Sequence, residues 1–110
     1  MTATRFEVLW ADVAIRDLNR IIDHIERKAP AAAQKTFDQI KEASRALSTL
    51  PLRGRLVPEV AFLEITNFRE LLIPPDRLLY RVGESMVLIM AVFDGRRELE
   101  NAIRLRLLGV

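Results

Sequence analysis

The sequence contains no cysteine. That excludes a thiol nucleophile, a cysteine-based zinc site and thiol redox regulation, and it fits a cytosolic chain. One histidine and the absence of a D-x-D-x-D-G pattern leave no spacing for a metal site, and no cofactor is expected. The four glycines, Gly54, Gly83, Gly95 and Gly109, stand alone, so a phosphate-cradling glycine loop is missing. The longest unbroken apolar run, Met86 to Phe93, falls far short of a membrane span. The opening MTATRFEVLW lacks the charged-then-apolar order of a signal peptide. A cytoplasmic protein without a membrane partner is the expectation.

What is present describes one domain over residues 1–110, with 50% apolar and 29% charged residues. A chain of this size buries roughly two-thirds of its unfolded surface, enough for one core. Disorder and collagen-like repeats are excluded by composition. The net charge of +2 is too small to imply nucleic acid. Its distribution is uneven: Lys28, Lys35 and Lys41 are the only lysines, and the nine basic residues after position 50 are all arginine. Arginine grips phosphates and carboxylates at two points, although drift in a GC-rich genome produces the same bias.

Periodicity divides the chain. TRFEVLW (4–10) alternates and reads as a strand, and Asp12 is placed to cap the helix after it. Ala14, Leu18, Ile21, Ile22 and Ile25 then share one helical face, with Arg16, Asp17, Asn19, Arg20, Asp23, His24, Glu26 and Arg27 covering the rest. Pro30 suits the first turn of a second helix, whose stripe runs Ala33, Phe37, Ile40, Ala43, Leu47 and Leu50 before Pro51 ends it. PLRGRLVP (51–58) reads as a loop with Arg53 and Arg55 as surface cations. VAFLEIT (60–66), FRELLI (68–73), RLLYRV (77–82) and the apolar MVLIMAVF (86–93) read as strands, the last one central. Leu99, Ile103 and Leu107 mark a short final helix. The resulting class is α+β: an N-terminal strand, an antiparallel helical hairpin on a small, mostly antiparallel sheet, and a C-terminal helix.

Several segments occur in a recognisable order. They are Trp10, Ala14, Asp17 and Leu18 in a W-x-x-x-A-x-x-D-L opening, the Pro30-Ala-Ala helix start, the Pro51 to Arg55 loop, Phe68-Arg69-Glu70-Leu71, Tyr80-Arg81-Val82, and Val92 to Leu99. This succession resembles the RelE/ParE superfamily of small toxins from type II toxin–antitoxin pairs. The resemblance implies a toxin neutralised by a ParD- or RelB-like antitoxin. RelE-like members cleave mRNA at the ribosome, whereas ParE-like members trap DNA gyrase.

Cleaving RNA through its 2′-hydroxyl needs a base, an acid and cations for the developing phosphorane charge. Carried over from the RelE-like pattern, the first sheet cation falls on Arg69 and the second on Leu71, which cannot serve. The next strand offers Arg77, and the segment after the last strand offers Arg96 or Arg97. The C-terminal aromatic or histidine acid/base is missing, because nothing after Phe93 is Tyr or His. Cations without an acid/base make a phosphate grip, which favours the ParE-like branch, no catalytic residue, and gyrase as target; a RelE-like ribosome-dependent mRNA endonuclease and a toxin fold that has lost toxicity are the alternatives.

If the Pro74–Asp76 loop holds three residues, Arg69 faces Arg81, and Arg69, Arg77 and Arg81 share one face. Tyr80 then lies in the core with Phe68, Leu72, Leu78 and Val82, its hydroxyl held by the opposed Glu70. Either carboxylates such as Glu64 and Asp94 neutralise the arginine face, or it stays open to an acidic partner or phosphate. His24 reads as a solvated surface residue. The hairpin leaves an apolar groove and the sheet an open edge, which suit an antitoxin's amphipathic helix and added strand. Ile15 is a candidate anchor in an interface above about 1,200 Å².

Overall fold

A computed structural model describes residues 5–109. The order is β1 (Glu7–Trp10), α1 (Asp12–Glu26), α2 (Pro30–Ala46), β2 (Arg55–Leu56), α3 (Pro58–Ala61), β3 (Phe68–Ile73), β4 (Asp76–Val82), β5 (Met86–Asp94) and α4 (Glu100–Leu108). The α+β class, the hairpin and the closing helix are as the sequence predicts. The first strand starts at Glu7, and Thr4, where it was expected to begin, lies outside the described residues. Ala11, without a side-chain bond, occupies the cap position expected for Asp12. As the first helical residue, Asp12 still places a carboxylate at the positive end of the helix dipole. Among the described residues, no helix is long and apolar enough to cross a membrane.

The sheet runs β1-β5-β4-β3-β2, with β1 parallel to β5 and the other pairs antiparallel. Alternation along the strands supplies two apolar faces. Leu71, Leu78, Tyr80, Val87, Ile89 and Val92 pack under Ala14, Leu18, Ile40 and Leu47 of the hairpin. On the other face Phe68, Leu79 and Ala91 meet Val57, Val60, Leu99, Ile103 and Leu107. The spacing of Ile89 and Val92 is explained by a register shift against Leu79 and Tyr80: one extra β5 residue, Met90, restores Val92 to the hairpin side.

Residues 60–66 are not the strand expected from their apolar content. Pro58 starts a helical turn, and the buried positions Val57 and Val60 are three apart while Phe62 and Leu63 face out. That is helical spacing, not alternation. The β3–β4 connection is also shorter than expected, because Asp76 already pairs with Ile73. Arg69 therefore stands opposite Tyr80 instead of Arg81. A one-residue slip inverts every facing relation, so Arg69 lies on the hairpin side while Arg77 and Arg81 lie on the α4 side.

Asp17 does not join the polar side of α1. It sits between Ala14 and Leu18 on the packed face, 4% exposed. Its carboxylate accepts from the Val92 backbone N–H at 3.1 Å and from Arg106 Nη1 at 2.6 Å, and Arg106 also donates to the Met90 carbonyl at 3.3 Å. An α1 carboxylate and an α4 guanidinium thus meet on the part of β5 that β1 leaves unpaired. Asp17→Ala is expected to cost about 3 kcal/mol or more, since it leaves a part-buried guanidinium uncompensated. Arg20→Ala removes a contact of 3.9 Å from a 78% exposed side chain, and is expected to cost less than about 0.5 kcal/mol. Urea unfolding of both variants checks the difference.

Candidate functional site

On the α4 side, β3 and β4 bring Glu70 and Arg77 into diagonal contact. Arg77 donates through Nη1 and Nη2 to the two oxygens of Glu59, each at 2.8 Å, and through Nε to Glu70 Oε1 at 2.7 Å. Arg55 donates to the other oxygen of Glu70. The Glu70 side chain is fully buried and that of Arg77 is 12% exposed, so two carboxylates and two guanidiniums compensate one another. The hydrogen bonds from Arg77 hold the Glu59 carboxyl below its ordinary value. The bonds Arg77 donates to Glu59, then to Glu70, push its guanidinium further up.

This arrangement resolves how the arginine face is neutralised. The counter-charges for Arg77 are Glu59 and Glu70, not Glu64 or Asp94. Glu64 is exposed, with a left-handed φ of 64°, and Asp94 holds Arg96 at 2.9 Å. Nor does Glu70 reach Tyr80. Tyr80 is in the core as expected, but its hydroxyl donates to the Pro51 carbonyl at 2.8 Å and accepts from the Gly54 N–H at 2.9 Å. Burial pushes the phenol up, which keeps it protonated. The backbone passes so close here that a Cβ on Gly54 would collide with the Glu70 carbonyl oxygen.

The five candidate cations therefore do not form one face. Arg69 reaches the Gly54 carbonyl at 2.8 Å on the hairpin side. Arg77 is enclosed in its ion network, and Arg81 is exposed farther along the same side. Arg96 and Arg97 are exposed in the turn after β5. Arg97 lines two cavities, one on each side of the sheet's end. The first, about 410 Å³, is shared with Glu59, Phe62, Arg77 and Glu98. The second, about 480 Å³, lies against α1 and includes His24, Asp76 and Asp94. His24 is exposed as expected, but it opens onto this second cavity. Ile15 is 42% exposed on α1, and the cleft between the helices is lined by Ile22, Ala33 and Phe37 among others.

Sequence reasoning did not assign Glu59, Glu70 and Asp76 to a site. A carboxylate beside an arginine one strand away becomes legible only once the hairpin register is known. Asp76 is 5% exposed and faces Asp94 across the β4–β5 pair. Burial, with the charge of Asp94 second, raises its carboxyl from 3.8 to about 6, while hydrogen bonds from Arg96 hold Asp94 at about 2. The unfolded chain thus releases the Asp76 proton first as pH rises, and stability from this group falls as pH rises from 3.8 to about 6. Above the upper value the full penalty, about 3 kcal/mol, persists. Asp76→Asn is expected to stabilise the protein by about that amount near neutral pH, with the gain shrinking toward about pH 4. Urea unfolding across that range measures it.

The ion network also changes how Arg77 is to be probed. Arg77→Ala leaves the buried Glu70 with Arg55 alone, and its expected cost is about 3 kcal/mol or more. Loss of function in that variant reports on folding before it reports on binding, and a denaturant melt checks this.

Comparison with known proteins agrees with this architecture. A family model described as the ParE toxin of type II toxin–antitoxin systems, parDE, matches residues 8–99. A relative from Caulobacter vibrioides, Toxin RelE2, is 33% identical over 92 residues, covering 83% of this chain and 97% of the relative. Among solved structures, the chromosomal ParDE system from P. aeruginosa aligns with a TM-score of 0.67 at 24% identity, over 82% of this chain and 96% of that one. The RelBE2 toxin–antitoxin complex from Mycobacterium tuberculosis aligns with a TM-score of 0.56 at 23% identity, over 84% of this chain and 94% of its own. From β1 through Leu99 the match is continuous, and the chain belongs to the ParE toxin family of type II toxin–antitoxin systems, within the RelE/ParE superfamily.

Proposed function

We propose that this toxin inhibits DNA gyrase by binding, without cutting RNA, and that a ParD-like antitoxin neutralises it in the cytoplasm, in the manner of a plasmid-stabilising pair. The observation that carries the reading is the state of Arg77. A catalytic guanidinium must gain an interaction as charge develops on the transferring phosphate. Arg77 is already held by Glu59 on two nitrogens and by buried Glu70 on a third side. Leu71 replaces a second cation, Tyr80 is buried with its hydroxyl engaged, and no Tyr or His follows Phe93. Arg81 and Arg97 remain as exposed cations on that side, and exposed cations steer an acidic or nucleic-acid-bearing partner.

Purified toxin is expected to inhibit gyrase supercoiling and to accumulate cleaved DNA complexes. Arg81→Glu together with Arg97→Glu should weaken inhibition, and the effect should diminish at high salt. Site-specific cuts in ribosome-bound mRNA, with gyrase unaffected, would overturn the reading in favour of the RelE-like alternative.

The antitoxin expectation is tested separately. Exposed Ile15 remains the proposed anchor on the hairpin. Ile15→Asp is expected to lose about 2 kcal/mol or more of antitoxin affinity by titration calorimetry, while Arg97→Glu alters mainly the association rate. Wild-type affinity in a folded Ile15→Asp variant removes the hairpin as the docking surface.

A further inference from the structure

We propose that the cavity between α1 and the end of the sheet is a guanine-nucleotide site, with the rim arginines on the phosphate and the Asp76 carboxylate on the base edge. This goes beyond gyrase inhibition and uses the opposite face of the sheet from the Glu59–Arg77–Glu70 network.

The cavity measures about 480 Å³, within the usual range for small-ligand pockets. Ile21, Ile25 and Pro75 give it apolar walls suited to a flat ring, and Arg20, Arg96 and Arg97 stand at its polar boundary. The Arg20 side chain is 78% exposed and Arg97 is exposed as well, so both are free to turn toward an entering anion. Asp94 is committed to Arg96 through both of its oxygens, and the arginines still outnumber the aspartates.

Asp76 is the deepest polar group. It is 5% exposed, and among the described residues its carboxyl has no hydrogen-bond partner. Among the described residues no fully buried side-chain oxygen is left without a partner, however, so the Asp76 oxygens open onto the cavity they line. A carboxyl held this deep without a donor is costly unless something entering the cavity supplies one.

The ligand must therefore carry an anion and N–H donors at opposite ends of a flat apolar body. Phosphate alone meets the arginines but is repelled by Asp76. An amine alone meets Asp76 but is repelled by the arginines. A guanine nucleotide joins both requirements, because N1–H and N2–H lie side by side and match the two oxygens of a carboxylate. Adenine presents an acceptor nitrogen beside a single donor, which sets a lone pair against the carboxylate. The nucleotide can be free or the 5′-phosphorylated end of a strand, since both present the same phosphate and base.

The test is titration calorimetry on the full chain with 5′-GMP, 5′-AMP and inorganic phosphate at about pH 7.5, where Asp76 is ionised. GMP should bind tighter than AMP by about tenfold or more, the discrimination of one bidentate pair. Asp76→Asn, expected to fold with added stability, should erase that preference. Arg20→Ala with Arg97→Ala should weaken both nucleotides alike, and more so at low salt. A guanine-ended, 5′-phosphorylated oligonucleotide distinguishes the sources. Competition with GMP assigns the site to strand ends, and GMP binding without competition assigns it to the free nucleotide. Equal affinities for GMP and AMP, a preference that survives Asp76→Asn, or no binding by GMP and oligonucleotide alike overturns the proposal.

Discussion

A single carboxylate fastens the three layers of this molecule together. β5 is longer than its parallel neighbour, and where β1 turns into α1 the outer edge of β5 has no strand beside it. Asp17 descends from α1 and Arg106 rises from α4 to occupy that stretch, and between them they take the Val92 N–H and the Met90 carbonyl. The Met90 bulge and the tether are parts of one device. β1 pairs no further than Ile89, just before the bulge, and the two side chains satisfy what the end of β1 leaves unpaired. An open strand edge, otherwise a template for association, is thereby closed by charge.

The second ion cluster settles a different question, that of which arginines are available. Glu59, Glu70, Arg55 and Arg77 form a nearly complete set of charge-assisted bonds, with Glu70 at its buried centre. Such a set fixes the angle between α3 and the sheet, and it holds α4 as well, because Arg104 donates to the Glu59 carbonyl at 3.2 Å and lies over the Phe62 ring. A guanidinium used in this way supports the surface without contributing to its chemistry. The exposed cations lie on the neighbouring positions Arg81 and Arg97, where solvent screening limits each one's strength and association rate becomes their main effect.

Most of the architecture was legible in the sequence because it follows from periodicity: the hairpin stripes as far as Leu47, the apolar β5 and the Leu99–Ile103–Leu107 face took their predicted places, while Leu50, beyond the end of α2, is 56% exposed. The arginine face was not, and one residue made the difference. Pro74 and Pro75 alone form the β3–β4 turn, and the parity of every residue before it depends on that count. Asp17 carried a signal that composition obscured: it stands three residues after Ala14 and one before Leu18, on the apolar side of its own helix. A lone carboxylate there implies a buried partner, but Arg106 is too distant in sequence for periodicity to identify. The 60–66 segment misled because its apolar residues occur in a run, and only the three-residue spacing of Val57 and Val60 distinguishes a helical turn from a strand.

The parallel pairing of β1 with β5 joins Glu7 to Met86 and Trp10 to Ile89. The first strand to leave the ribosome thus waits for the last, and the hairpin face has only part of its floor until β5 arrives. A nascent chain that stops before Met86 has neither β5 nor the Val92 N–H that Asp17 requires. Such long sequence separation slows folding, and it makes the native state a property of the whole translated message. Prematurely terminated chains of this toxin cannot assemble the sheet, so synthesis itself sets a threshold: only a ribosome that completes β5 releases a chain able to fold.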